Sequence, residues 1–90
     1  MTFQTERDAF DRMLRDERRM SVHTRHAYRR DLQRFATYLT SQGVASWAAV
    51  SPENVRTWLG GERRRGLAAG SLQRALSSVR SFYRYLLSSG

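Results

Sequence analysis

Residues 21–39 read SVHTRHAYRRDLQRFATYL and set Tyr28 among His23, His26, Arg29 and Arg30. A phenol, an imidazole base and guanidinium groups are what a tyrosine nucleophile would need around it. Spacing argues against that chemistry. At about 100° per residue, Tyr28 shares one helical stripe with Leu32, Phe35, Ala36 and Leu39, while His26 and Arg30 each lie roughly 160° away. A nucleophile needs its base within hydrogen-bond reach, and a straight helix puts neither group there. The histidines are three residues apart, but no Asp, Glu or Cys completes a metal site on their face. No catalytic, cofactor-binding or metal-ligating residue is therefore expected.

What the same helix does offer is an outer face of His23, His26, Arg29, Arg30, Gln33, Arg34 and Thr37. A second helix near the C-terminus repeats the arrangement. Opposite its apolar stripe stand Gln73, Arg74, Ser77, Ser78, Arg80, Ser81 and Arg84, with no acid among them. Small hydroxyl residues let a helix backbone approach closely, and arginines beside them reach phosphates or base edges. An α-helix fits the major groove of B-form DNA, so two such faces point to duplex DNA. RNA is disfavoured because its A-form major groove excludes side chains and its readers present stacking aromatics. Here Phe10, Phe35, Trp58, Phe82 and Tyr83 fall on apolar stripes instead.

Four helices must position these faces. The first is expected over residues 5–19, with Ala9, Phe10, Met13 and Leu14 inward, Phe3 packed ahead of it, and Glu6 and Asp8 in its first turn. Ser21 caps a second helix over 22–42 that ends at Gly43. Trp47 is expected to plug the following loop. Ser51 and Pro52 open a third helix over 52–65, with Val50 able to staple onto Val55, and Gly66 closes it. Gly60 and Gly61 inside it cost about 1 kcal/mol each relative to Ala, which makes it the weakest of the four. The fourth helix, over 71–87, carries Leu72, Ala75, Leu76, Val79, Phe82, Tyr83 and Leu86 on one side, and the terminal SSG reads as linker. Short loops and the absence of strand alternation predict a compact all-α four-helix bundle.

Bulk composition fits one small soluble domain. The 90 residues include no Cys, so neither disulfides nor thiolate metal sites are available. No run is apolar enough for a membrane span and no signal-peptide layout is visible, which makes the cytoplasm the expected compartment. The net charge is +8, and all sixteen basic residues are arginines. Guanidinium pairs bidentately with phosphate and with guanine edges. The charge is also unevenly placed: residues 1–20 sum to zero, whereas 21–42 and 67–90 carry +3 each.

Taken together, these residues resemble the tyrosine recombinases of the Xer and phage-integrase type. The stretch from Ser21 to Leu32 matches their S-x-x-T-x-x-x-Y-x-x-D-L segment. VSPENVRTWL, RRRGL and SLQRALSSVRSFYRYLL follow in the order of that family's third and fourth helices. The resemblance covers nearly the whole chain and implies an N-terminal core-binding, SAM-like domain. Such a domain is one half of a clamp on a recombination half-site, with its second and fourth helices in the major groove. It implies DNA contacts by Thr24, Arg25, Tyr28, Arg29 and Arg30 on the second helix, and by Ser71, Arg74, Ser77, Ser78, Arg80, Ser81 and Arg84 on the fourth. Thr24 and Arg25 flank the buried stripe near the helix start, where backbone N–H groups also meet phosphate. The rim position of the Tyr28 hydroxyl suits a phosphate contact.

The same resemblance places the strand-exchange chemistry in a separate C-terminal catalytic domain, so this chain alone is expected to be inert. Its implied partners are duplex DNA, that catalytic domain and neighbouring recombinase subunits, the near-neutral first helix being a candidate for subunit contact. Where the family often caps its fourth helix with Ser or Thr, AAG follows here, which predicts a start delayed to Gly70 or Ser71. Removal of Arg29 or Arg74 is expected to weaken DNA binding with the fold intact, and removal of Arg12 to matter much less. The competing reading is a basic helical module that recruits an acidic protein partner. Its binding would not depend on a duplex.

Overall fold

The computed structural model describes residues 3–89. Four helices, α1 (Gln4–Asp16), α2 (Val22–Ser41), α3 (Pro52–Arg64) and α4 (Ala69–Ser89), and a 3-10 turn (Trp47–Ala49) make up its secondary structure. The fold is an all-α bundle in which α2 and α4 pack against each other and against both other helices.

Local chemistry sets most of the boundaries. The Ser21 hydroxyl accepts the Thr24 N–H at 3.2 Å and starts α2. At α3 a full capping box forms. Ser51 Oγ accepts the Asn54 N–H at 3.2 Å, and Asn54 Oδ1 accepts the Ser51 N–H at 2.7 Å. Gly43 and Gly66, at φ 75° and 97°, sit just past α2 and α3. In both cases the next residue reaches back across the helix end, Val44 N–H to Leu39 O and Leu67 N–H to Glu62 O. That is the left-handed helix stop that glycine makes without strain.

Two ends differ from expectation. α1 stops at Asp16, three residues early, because Arg19 takes the left-handed conformation at φ 50° and Met20 turns back to donate to Leu14 O at 3.0 Å. The turn packs Met20 against the core, and that burial offsets the cost of a non-glycine residue there. α4 begins at Ala69 rather than Gly70 or Ser71, its first turn closed by Leu72 N–H to Ala68 O at 2.9 Å. Alanine is a poor cap but a good helix former, and the helix starts without a side-chain cap. At the other end α4 runs through Ser88 and Ser89, so those two residues are helix and not linker; Gly90 lies outside the described residues.

The core joins Phe10 and Leu14 of α1, Leu32, Phe35, Ala36 and Leu39 of α2, Trp47, Trp58 of α3, and Ala75, Val79 and Phe82 of α4. Trp47 is the expected plug and more. Its ring stands edge-on to Phe3 and Phe82, with centroids 4.6 Å away in each case, and its indole N–H donates to Phe3 O at 3.1 Å. The Tyr83 hydroxyl donates to Trp47 O at 2.8 Å. Burial pushes the Tyr83 phenol well above its ordinary range, so this tyrosine is a strut.

Candidate nucleic-acid interface

Asp31 is the one acid on α2, and α4 has none. It lies about 40° from Phe35 on the helix, inside the apolar stripe. Buried carboxylates are tolerated when paired and hydrogen-bonded, and the sequence places a matching cation across the seam. Arg74 of α4 grips Asp31 with a bidentate fork, Nε to Oδ2 at 2.9 Å and Nη2 to Oδ1 at 2.8 Å. Asp31 is 1% exposed, whereas a third of the Arg74 side chain still meets solvent. The fork holds the Arg74 guanidinium above its ordinary pKa. The expectation that Arg74 can be removed with the fold intact is therefore corrected: it neutralises a charge inside the bundle.

A second acid does similar work on the opposite flank of α2. Asp11 of α1, also buried, receives Arg25 Nε and Nη2 at 3.2 Å each, and Arg29 Nη1 at 3.4 Å. Arg25 is largely covered by this contact, while Arg29 remains mostly in solvent. Alongside, Arg7 donates from Nη1 to Gln33 Oε1 at 2.6 Å and from Nε to Phe3 O at 3.2 Å. α1 thus braces the basic face of α2, which the near-neutral charge of residues 1–20 did not disclose.

The remaining expected residues divide by exposure. Arg30 on α2 and Ser77, Arg80 and Arg84 on α4 stand in solvent; Thr24, Tyr28, Ser71 and Ser81 are half-buried. Thr24 is tied into the α2 cap, its Oγ1 accepting from Ser21 Oγ at 3.0 Å. Tyr28 packs on the core and is one of the residues lining the cleft between α1 and α2. Ser78 does not face outward, which corrects its assignment as a DNA contact. It is 0% exposed, and its hydroxyl donates back to Ala75 O at 2.7 Å. The wheel holds the reason: Ser78 lies about 40° from Phe82 and 60° from Ala75, so it belongs to the buried side. A hydroxyl that satisfies itself on its own helix can sit there at little cost.

The two carboxylates were missed as functional elements. Their signal was visible in outline, since an acid inside an apolar stripe demands a cation on the neighbouring helix. With Asp31 consumed, every charged side chain that α2 and α4 turn to solvent is basic. Arg63, Arg64 and Arg65 at the end of α3 extend the positive surface, although Arg65 pairs with the buried Glu62 at 2.6 Å. A surface of one charge sign produces a positive potential that favours anions.

Comparison with known proteins identifies relatives of this chain. The tyrosine recombinase XerC of Pseudomonas putida (strain W619) is 42% identical over 79 residues, covering 88% of this chain and 26% of that protein. XerC of Stutzerimonas stutzeri (strain A1501) is 40% identical over 87 residues, 97% of this chain and 29% of that protein. XerC of Azotobacter vinelandii is 39% identical over the same length, with the same coverage. The chain therefore spans under a third of the length of the curated relatives it matches. No solved structure gives a significant match. The description "Phage integrase, N-terminal SAM-like domain" fits residues 8–90, and the chain belongs to that family.

Proposed function

We propose that this chain is the duplex-DNA-binding module of a site-specific tyrosine recombinase, one half of a clamp on a recombination half-site. The observation that carries the reading is the acid-free outer surface of α2 and α4, whose only carboxylate is buried and neutralised by Arg74. Both helices enter the major groove. Arg30, Arg80 and Arg84 reach phosphates or base edges, and Ser77 and Ser81 let the α4 backbone come close. The family membership and the XerC relatives support the same assignment. Strand cleavage belongs to a catalytic domain outside this span, which is a partner along with neighbouring recombinase subunits. Neither Tyr28 nor Tyr83 is set up as a nucleophile: Tyr83 is a strut, and Tyr28 has His26 across the helix.

A titration against a mixed-sequence DNA duplex at several salt concentrations tests this. The logarithm of the binding constant should fall linearly with the logarithm of salt, about 0.9 for each phosphate neutralised. Absence of duplex binding at low salt refutes the proposal. Equal or tighter binding to polyglutamate favours an acidic protein partner instead.

A further inference from the structure

The seam between α1 and α2 gathers Arg7, Arg25 and Arg29 along an open cleft of about 380 Å³ that Asp8, Asp11 and Tyr28 also line. The three arginines are not equivalent. Arg25 forms a closed pair, two of its nitrogens on the two oxygens of Asp11. Arg29 comes to that carboxylate as a second cation through one long contact, so most of its charge is uncompensated. Arg7 is held only by neutral acceptors, the Gln33 amide oxygen and the Phe3 carbonyl. Neutral acceptors fix a guanidinium in place and leave its full charge available. Burial lowers the Arg7 pKa, Asp8 opposes that shift, and the field of Arg29 adds to it. A partly desolvated cation beside a second cation is a costly arrangement that an anion between them would relieve.

We propose that this cleft seats a backbone phosphate of duplex DNA, with Arg7 and Arg29 as its ligands. The proposal rests on the DNA-binding reading above and extends the contact surface to α1. The guanidinium N–H groups not engaged by Asp11, Gln33 or Phe3, on Nη2 of Arg7 and Nη2 of Arg29, come from different helices and suit the tetrahedral oxygens of a phosphodiester. The cleft lies beside the outer face of α2, where a groove rim would run if α2 lies in the major groove.

The test compares the wild-type chain with Arg7→Gln, Arg7→Lys, Arg12→Gln and Asp8→Asn in duplex titrations across salt, circular dichroism reporting the fold of each. Arg7→Gln should weaken binding about eightfold at 0.1 M salt and flatten the salt slope by about 0.9, which is one fewer counterion released. Arg7→Lys should keep the slope, and Asp8→Asn should tighten binding. Arg12→Gln, on the same helix but outside the cleft, should leave the slope unchanged. If wild type binds and Arg7→Gln matches Arg12→Gln, the phosphate seat is wrong and the DNA reading stands. A flattened slope in Arg7→Lys would likewise overturn the seat, since only a structural role for Arg7 predicts it. If wild type fails to bind any duplex, the DNA reading itself falls.

Discussion

The two flanks of α2 solve the same problem in different ways. On the α4 side one buried carboxylate meets one arginine through two short bonds, Asp31 with Arg74 at 2.8 and 2.9 Å. On the α1 side one buried carboxylate is shared by two arginines through three longer bonds of 3.2 to 3.4 Å. The first arrangement is neutral and works as a clamp between helices. The second leaves positive charge over and works as a mount for it. Counting cations per buried acid thus separates arginines that hold the fold from arginines that are free to meet a ligand.

The largest expected effect tests the clamp. Arg74→Ala strands Asp31 in the core and should cost about 3–5 kcal/mol in urea unfolding. Replacing the pair together, Asp31→Leu with Arg74→Met, should recover most of that loss. A single Arg74→Ala loss below about 1 kcal/mol would break the contrast between the flanks. Arg25→Ala should cost less, about 1–2 kcal/mol, because Arg29 stays on Asp11. An equal cost at both seams would mean that sharing the carboxylate changes nothing.

Smaller effects sharpen the contrast from outside both seams. A methyl group on Gly60 would stand 3.6 Å from Arg64 Nη1, an ordinary contact, and the position is an α-helix interior. Gly60→Ala should therefore stabilise the chain by about 0.5–1 kcal/mol and leave duplex affinity unchanged. Arg84→Ala on the exposed ridge of α4 should shift stability by less than about 0.5 kcal/mol. It should nonetheless flatten the salt slope of DNA binding by about 0.9.

Much of this architecture was legible beforehand, and the failures have physical causes. Ser21, Gly43, Ser51 with Pro52, and Gly66 marked helix ends because capping and left-handed glycine are local chemistry. The early stop of α1 was hidden because it uses Arg19, a residue that seldom adopts that conformation, and is driven by distant packing of Met20. The core stripes followed from period alone. Within the site, Arg30, Arg80 and Arg84 stand in solvent as their wheel positions imply, while Ser78 was misplaced because its polar character outweighed its angle. Asp11 could not be matched to Arg25 and Arg29 from sequence, since that pairing depends on how α1 lies across α2. Asp31 stands inside the S-x-x-T-x-x-x-Y-x-x-D-L segment, yet its pairing with Arg74 depends on how α4 lies against α2.

Trp47 carries a further consequence, which concerns the order of events during folding. Its two tethers, from its indole to Phe3 and from Tyr83 to its carbonyl, span 44 and 36 residues of chain. Such non-local contacts meet the entropy of loop closure before they repay it, so both bonds are expected to form after the local helix contacts. On that expectation the tryptophan is a latch that shuts late, and a low φ-value for Trp47→Phe in folding kinetics would report it.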